Sequence, residues 1–221
     1  PVVAVGQGAL GGDSAGLLMR AGMGIQQDTQ AGRRSAEDIM RRLLQTSGSS
    51  TSHLGMASIA RVGLATISLN RAQDALLLKK SASSYLGQAQ EWLDGIGPNA
   101  DFTVQKDILF ARLHRIAGRG EAARAAIARV PPNTTDPIYE VESKLQGLPA
   151  LELDASARFR SLNSLSSEAL AVPTVWAMRV QAAIAAGKTD LARTLLQSAP
   201  KGPMRAFFLN SLKADSMANG G

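Results

Sequence analysis

The chain has 221 residues, enough to bury a core of its own, and its 45% hydrophobic and 19% charged residues mark a globular sequence rather than a disordered one. It contains no cysteine and only two histidines, His53 and His114, which excludes disulfide scaffolds, thiol nucleophiles and cysteine-bound zinc, and leaves no local metal motif. Thirty-six alanines against nine aromatic residues favour helices over strands, and a net charge of +6 points to nucleic acid, an anionic surface or an acidic protein as partner.

The N-terminal stretch 1–12 reads as a flexible Gly-rich lead-in. Pro1 to Leu10 could be the tail of a signal peptide, without the n-region that would prove it; the compartment stays open, with the periplasm or cell envelope favoured over the cytoplasm. Two motifs here imitate catalytic ones. Gly6-Gln-Gly8-Ala-Leu-Gly11 fits the dinucleotide fingerprint after the strand-like Pro1 to Val5, but no second strand with an acidic residue follows. Gly12-Asp-Ser14-Ala-Gly16 fits the nucleophile elbow, yet the 11 residues before it leave no room for a sheet and an oxyanion loop. Asp13 or Ser14 as a helix N-cap is the simpler reading.

Residues 13–67 are predicted to form N-terminal helices. Ser35-Ala-Glu-Asp38 reads as a capped start followed by an apolar face of Ile39, Leu43 and Leu44, and the Ser-rich run 47–52 breaks that helix. Arg33, Arg34, Arg41 and Arg42 are interleaved with Glu37 and Asp38, as on a surface helix. A further helix is expected from about His53 to Ser68. No apolar run reaches the ~20 residues a membrane-spanning helix needs.

From residue 68 the sequence repeats. Gly118-Arg-Gly-Glu-Ala-Ala-Arg124 aligns with Gly187-Lys-Thr-Asp-Leu-Ala-Arg193 at an offset of 69, and Pro131 falls on Pro200. Half that offset leads to Ala157-Arg158, and a further step back from Ala123 leads to Ala89. Ala89, Ala123, Ala157 and Ala192 then occupy one small-residue position, with Leu93, Ile127, Ser161 and Leu196 four residues on. A small residue lets two helices approach while the larger one fills the groove beside it.

Four helix–turn–helix units of this length, over 68–203, resemble the tetratricopeptide repeat (TPR). Trp176 and Pro200 match family positions, whereas Leu77, Ala111, Leu145 and Val180 stand where the family has a tight-packing glycine. The resemblance implies an all-α solenoid, closed by a C-terminal helix from Met204 to Met217 in a segment 204–221 that ends in a disordered tail. It also implies a non-catalytic scaffold or assembly factor whose first helices bind a protein or peptide, with self-association an option.

Mapped onto this chain, the groove positions are Arg71, Asp74, Gln105, Arg112, Arg115, Tyr139, Glu142, Gln146 and Gln181; the partner-binding set taken from them is Arg71, Gln105, Arg112, Arg115, Tyr139, Glu142 and Gln181. The fixed Lys/Asn set with which chaperone-binding members hold a C-terminal carboxylate is missing. Arg112, Arg115 and Arg119 lie three and four apart, as a solvated helix face or as contacts to an acidic peptide or phosphate. His114 falls on a packing position, and Trp92 and Trp176 read as core. Ser198-Ala-Pro-Lys201 fits S-x-x-K, but Pro200 makes it a loop. No catalytic, cofactor or metal residues are assigned. The rival reading is a helical binder of nucleic acid or an anionic surface, and alternating charge argues against nucleic acid: 101–130 carry +3, 131–170 carry −3 and 171–221 carry +4.

Overall fold

The computed structural model describes residues 12–27, 29–46, 51–97, 100–146, 155–200 and 202–218. Within them the chain is all-α, with no strand. The helices are α1 (Gly12–Gln27), α2 (Gln30–Thr46), α3 (Thr51–Leu77), α4 (Ser83–Asp94), α5 (Ala100–Ile116), α6 (Gly120–Ile127), α7 (Pro137–Gln146), α8 (Ala155–Asn163), α9 (Ser167–Leu170), α10 (Val175–Ala185), α11 (Thr189–Ser198) and α12 (Pro203–Ala218). The chain divides into two compact units, Pro1–Ala72 with Ala82–Asp136, and Gln73–Ser81 with Pro137–Gly221.

In the first unit α1 packs along α2. Their backbones meet at two glycines: a Cβ on Gly24 would lie 2.6 Å from the Gly32 carbonyl oxygen. Leu18, Ala21, Ala36, Met40, Leu43, Ala60, Leu64 and Ile67 form the core beneath. The cap of α2 is Thr29, whose Oγ1 accepts the Gly32 N–H at 3.0 Å, so the start expected at Ser35 lies inside the helix. Likewise α1 begins at Gly12, which puts Asp13 and Ser14 in its first turn rather than at a cap. The dinucleotide-like motif and Pro1 to Val5 lie outside the described residues, as do residues 47–50 of the Ser-rich run. The helix α3 runs straight through the boundary expected at 67/68. Nothing between Thr51 and Leu77 interrupts the hydrogen-bond ladder: no proline occurs there, and a Cβ on Gly63 would fall 2.7 Å from the Met40 methyl, so this glycine makes room for packing.

Three helices end in the same way. After α5, Gly118 takes φ +73°, its N–H donates to the Arg115 carbonyl and the Arg119 N–H donates to the His114 carbonyl at 2.8 Å. After α10, Gly187 takes φ +69° with the matching bonds to Ile184 and Ala183, and after α3, Lys79 takes φ +56° with bonds to Leu76 and, from Lys80, to Ala75. This is the Schellman termination, in which a left-handed residue lets the chain satisfy the last carbonyls and turn. The next residue also matches, Arg119 at φ −93°, ψ 70° and Lys188 at φ −91°, ψ 61°, each opening a short helix. Ala89, Ala123 and Ala192 are completely buried on α4, α6 and α11.

In the second unit α10 packs against α8, α9, α11 and α12 around Leu145, Phe159, Leu162, Val175, Val180, Leu196 and Phe208. The Arg205 Nε donates to the Leu196 carbonyl at 2.8 Å, satisfying an end group of α11 from α12. Here the alignment needs a correction. Leu162 and Leu165 are buried, while Ala157 and Ser161 are only half-buried. The packed positions therefore run one residue later than the Ala157 register, 34 residues before Leu196 and Ala199. The apolar side chain wins the core over the serine. The single-turn helix α9 was not expected. Ser166 caps it, and Glu140 of α7 accepts the Ser166 N–H at 2.9 Å as well as its hydroxyl.

Candidate functional site

Buried polar and charged side chains concentrate on three helices: Asn70 and Gln73 on α3, Asp107, Arg112 and Arg115 on α5, Glu142 and Gln146 on α7. Four of them, Arg112, Arg115, Glu142 and Gln146, are positions proposed to line a groove. Arg112 is 3% exposed and its guanidinium donates to the Asn70 Oδ1 at 2.9 Å. Arg115 is 8% exposed. Neither lies on the solvated face that their spacing suggested, because a long guanidinium side chain can cross to a polar partner on a neighbouring helix while its stem packs.

The rest of the set divides between the two units. In the first, Arg71 is half-buried and forms an ion pair with Glu37 at 2.7 Å. Glu37 also accepts from Arg41, whose guanidinium lies 5.4 Å above the Trp92 ring. Burial alone would push the Glu37 carboxyl up, but the hydrogen bonds and charges of Arg41 and Arg71 together hold it below its ordinary range. Gln105 is half-buried, and its Oε1 is sealed from solvent with no donor among the described residues. In the second unit Tyr139 is half-buried, Glu142 is buried and engaged within the fold, and Gln181 is exposed. Of the seven residues, only Gln181 is openly displayed. Trp176 is half-buried, edge-on to Phe208 with ring centres 6.3 Å apart.

The turn from α5 to α6 holds what the spacing argument passed over. His114 is half-buried, stacked on Phe110 at 6.0 Å, and its Nδ1 has no partner among the described residues. Burial, then the charges of Arg119 and Arg129, hold its pKa below the ordinary value, favouring the neutral ring. Arg129 reaches back to α5, its Nε donating to Asp107 at 2.9 Å. Arg119, Arg124 and the Arg129 side chain are exposed. Of these only Arg119 was singled out from the sequence; the signal for the others was the density of arginines on either side of Gly118.

Among the described residues no group of three or more His, Asp or Glu could hold a metal ion, and no helix is long and apolar enough to cross a membrane. Compared with known proteins, the chain matches no family model, no curated protein and no solved structure.

Proposed function

We propose that the helix pairs are TPR-like repeats and that the chain is a non-catalytic scaffold or assembly factor that binds a protein or peptide. The observation that carries this reading is the recurrence of one turn, with the same hydrogen bonds and dihedrals, at α5–α6 and α10–α11, each followed by a buried alanine, Ala123 or Ala192. Repeated helix pairs of this kind build extended surfaces suited to partner chains. Gln181 is the contact of choice, with Tyr139 beside it in the proposed set.

The test places a photoreactive phenylalanine analogue at Gln181 or Tyr139 and irradiates cells of the source organism, with Arg160, exposed on α8, as the control position. A discrete protein adduct from Gln181 and Tyr139, absent from Arg160 and resistant to nuclease, is the expected result. The rival reading, a nucleic-acid or anionic-surface binder, predicts nuclease-sensitive adducts or association that collapses between low and moderate salt. Either outcome, or no adduct at all, overturns the proposal.

A further inference from the structure

Between residues 106 and 129 six Lys and Arg residues accompany two carboxylates, Asp107 and Glu121. Arg112 and Arg115 are buried and Lys106 donates to the Ile96 carbonyl at 2.8 Å. Of the other three, Arg119 and the Arg124 guanidinium lie at the start of α6, and Arg129 follows its end. Arg119 sits at the cap position of α6, exposed, with no side-chain bond to the helix end. The Arg124 guanidinium folds back until Nη1 lies 3.6 Å from where a Gly120 Cβ would be. The Arg129 side chain, though tied to Asp107, is 55% exposed, and its charge and that of Arg119 both bear on His114. Glu121 pairs with neither Arg119 nor Arg124 among the described residues.

At the cap of α6 the macrodipole opposes the charge of Arg119, with Glu121 in the first turn and Arg124 in the last. The equivalent turn at α10–α11 resolves the same conflict internally. There Lys188 lies 4.9 Å over the Phe159 ring and Arg193 pairs with Asp190 at 3.0 Å.

We propose that the α5–α6 turn binds the carboxylates of an acidic protein segment, gripped by Arg119 and Arg124. This rests on the protein-binding reading and gives its partner a chemistry. Guanidinium forks hold carboxylates through two parallel hydrogen bonds. A nucleic acid would call for a continuous basic stripe and a free stacking surface, whereas only Arg119 and Arg124 meet at this turn, and Phe110 and His114 are half-buried against each other.

The experiment is fluorescence anisotropy on the purified full chain with a short labelled polyglutamate peptide and with an oligothymidylate of matching charge. Polyglutamate should bind more tightly than oligothymidylate. Arg119→Gln with Arg124→Gln should weaken polyglutamate binding roughly tenfold or more. Arg34→Gln with Arg42→Gln, which removes the same charge from exposed positions on α2, should change it less than about twofold. Equal losses from the two pairs, or no polyglutamate binding by the unaltered chain, overturn the site. If protein adducts still form at Gln181 and Tyr139, the scaffold reading survives that failure. Preference for oligothymidylate removes both.

Discussion

The turns α5–α6 and α10–α11 share a backbone and differ in nearly everything attached to it. Gly118 and Gly187 take the same left-handed conformation, and Ala123 and Ala192 are equally buried. At other matched positions the side chains diverge: Arg112 is buried where Gln181 is exposed, His114 stands where α10 has Ala183, and Arg129 where α11 has Ser198. The shared part is what a helix pair needs in order to turn and pack. The divergent part gives α5–α6 a buried cation and an unneutralised turn, and gives α10–α11 an open polar face. Folding accounts for the shared part, and on the proposed reading the divergent part serves recognition.

The largest expected difference lies at Arg112 and Gln181. Arg112→Ala should destabilise by about 2–3 kcal/mol, since it strands the Asn70 Oδ1 partner and removes the packed stem. Gln181→Ala, at an exposed position, should stay within about 0.5 kcal/mol. Urea unfolding monitored by circular dichroism reads both. Equal small effects would mean that Arg112 is not held as its hydrogen bond implies. The burial of Arg112 also means that reversing its charge alters the fold, so it is a poor probe of binding.

Next comes the shared small position. Ala123→Leu and Ala192→Leu should each cost about 1–3 kcal/mol by overpacking the helix contact. Ala122→Leu should be milder, because Ala122 is half-buried and its counterpart is Leu191, 38% exposed. Comparable losses at all three positions would break the equivalence of the two helix pairs.

The turns themselves give a smaller, matched effect. Gly118→Ala and Gly187→Ala should each destabilise by roughly 1 kcal/mol, the cost of forcing a Cβ into the left-handed region, since no neighbouring atom crowds either site. Unequal melting shifts would show that the two turns only look alike.

Helical class and the α5–α6 and α10–α11 pairs were legible because their signals are local. Alanine-rich periodicity, a glycine before each second helix and a small residue five positions after that glycine act over a few residues. The alignment failed by one residue at Ala157 because the choice between Ser161 and Leu162 is made by the core of the second unit, which a spacing argument does not contain. The helix end expected at Ser68 was misplaced, α3 running on to Leu77, because a repeat period says nothing about where a preceding helix stops. The candidate site was hardest to read. A spacing of three and four puts Arg112, Arg115 and Arg119 near one another, but only the neighbouring helices decide that the first two are buried and the third exposed.

The smallest predicted difference is a pH dependence present in one turn and absent from the other. In the folded chain the His114 pKa lies below its ordinary value of about 6.5, through burial and through Arg119 and Arg129. The unfolded chain therefore takes up a proton at a higher pH than the folded one does. The contribution of His114 is fully present above pH 6.5 and is lost progressively as the pH falls through the ordinary value towards the lowered one. Thermal melting of the unaltered chain should decline between pH 7 and 5 more than that of His114→Gln, whose side chain does not titrate. Because Ala183 holds the matching place in α10, Ala183→Ser should leave the slope untouched. A slope unchanged by His114→Gln would assign it to other groups and remove His114 from the electrostatics of the α5–α6 turn.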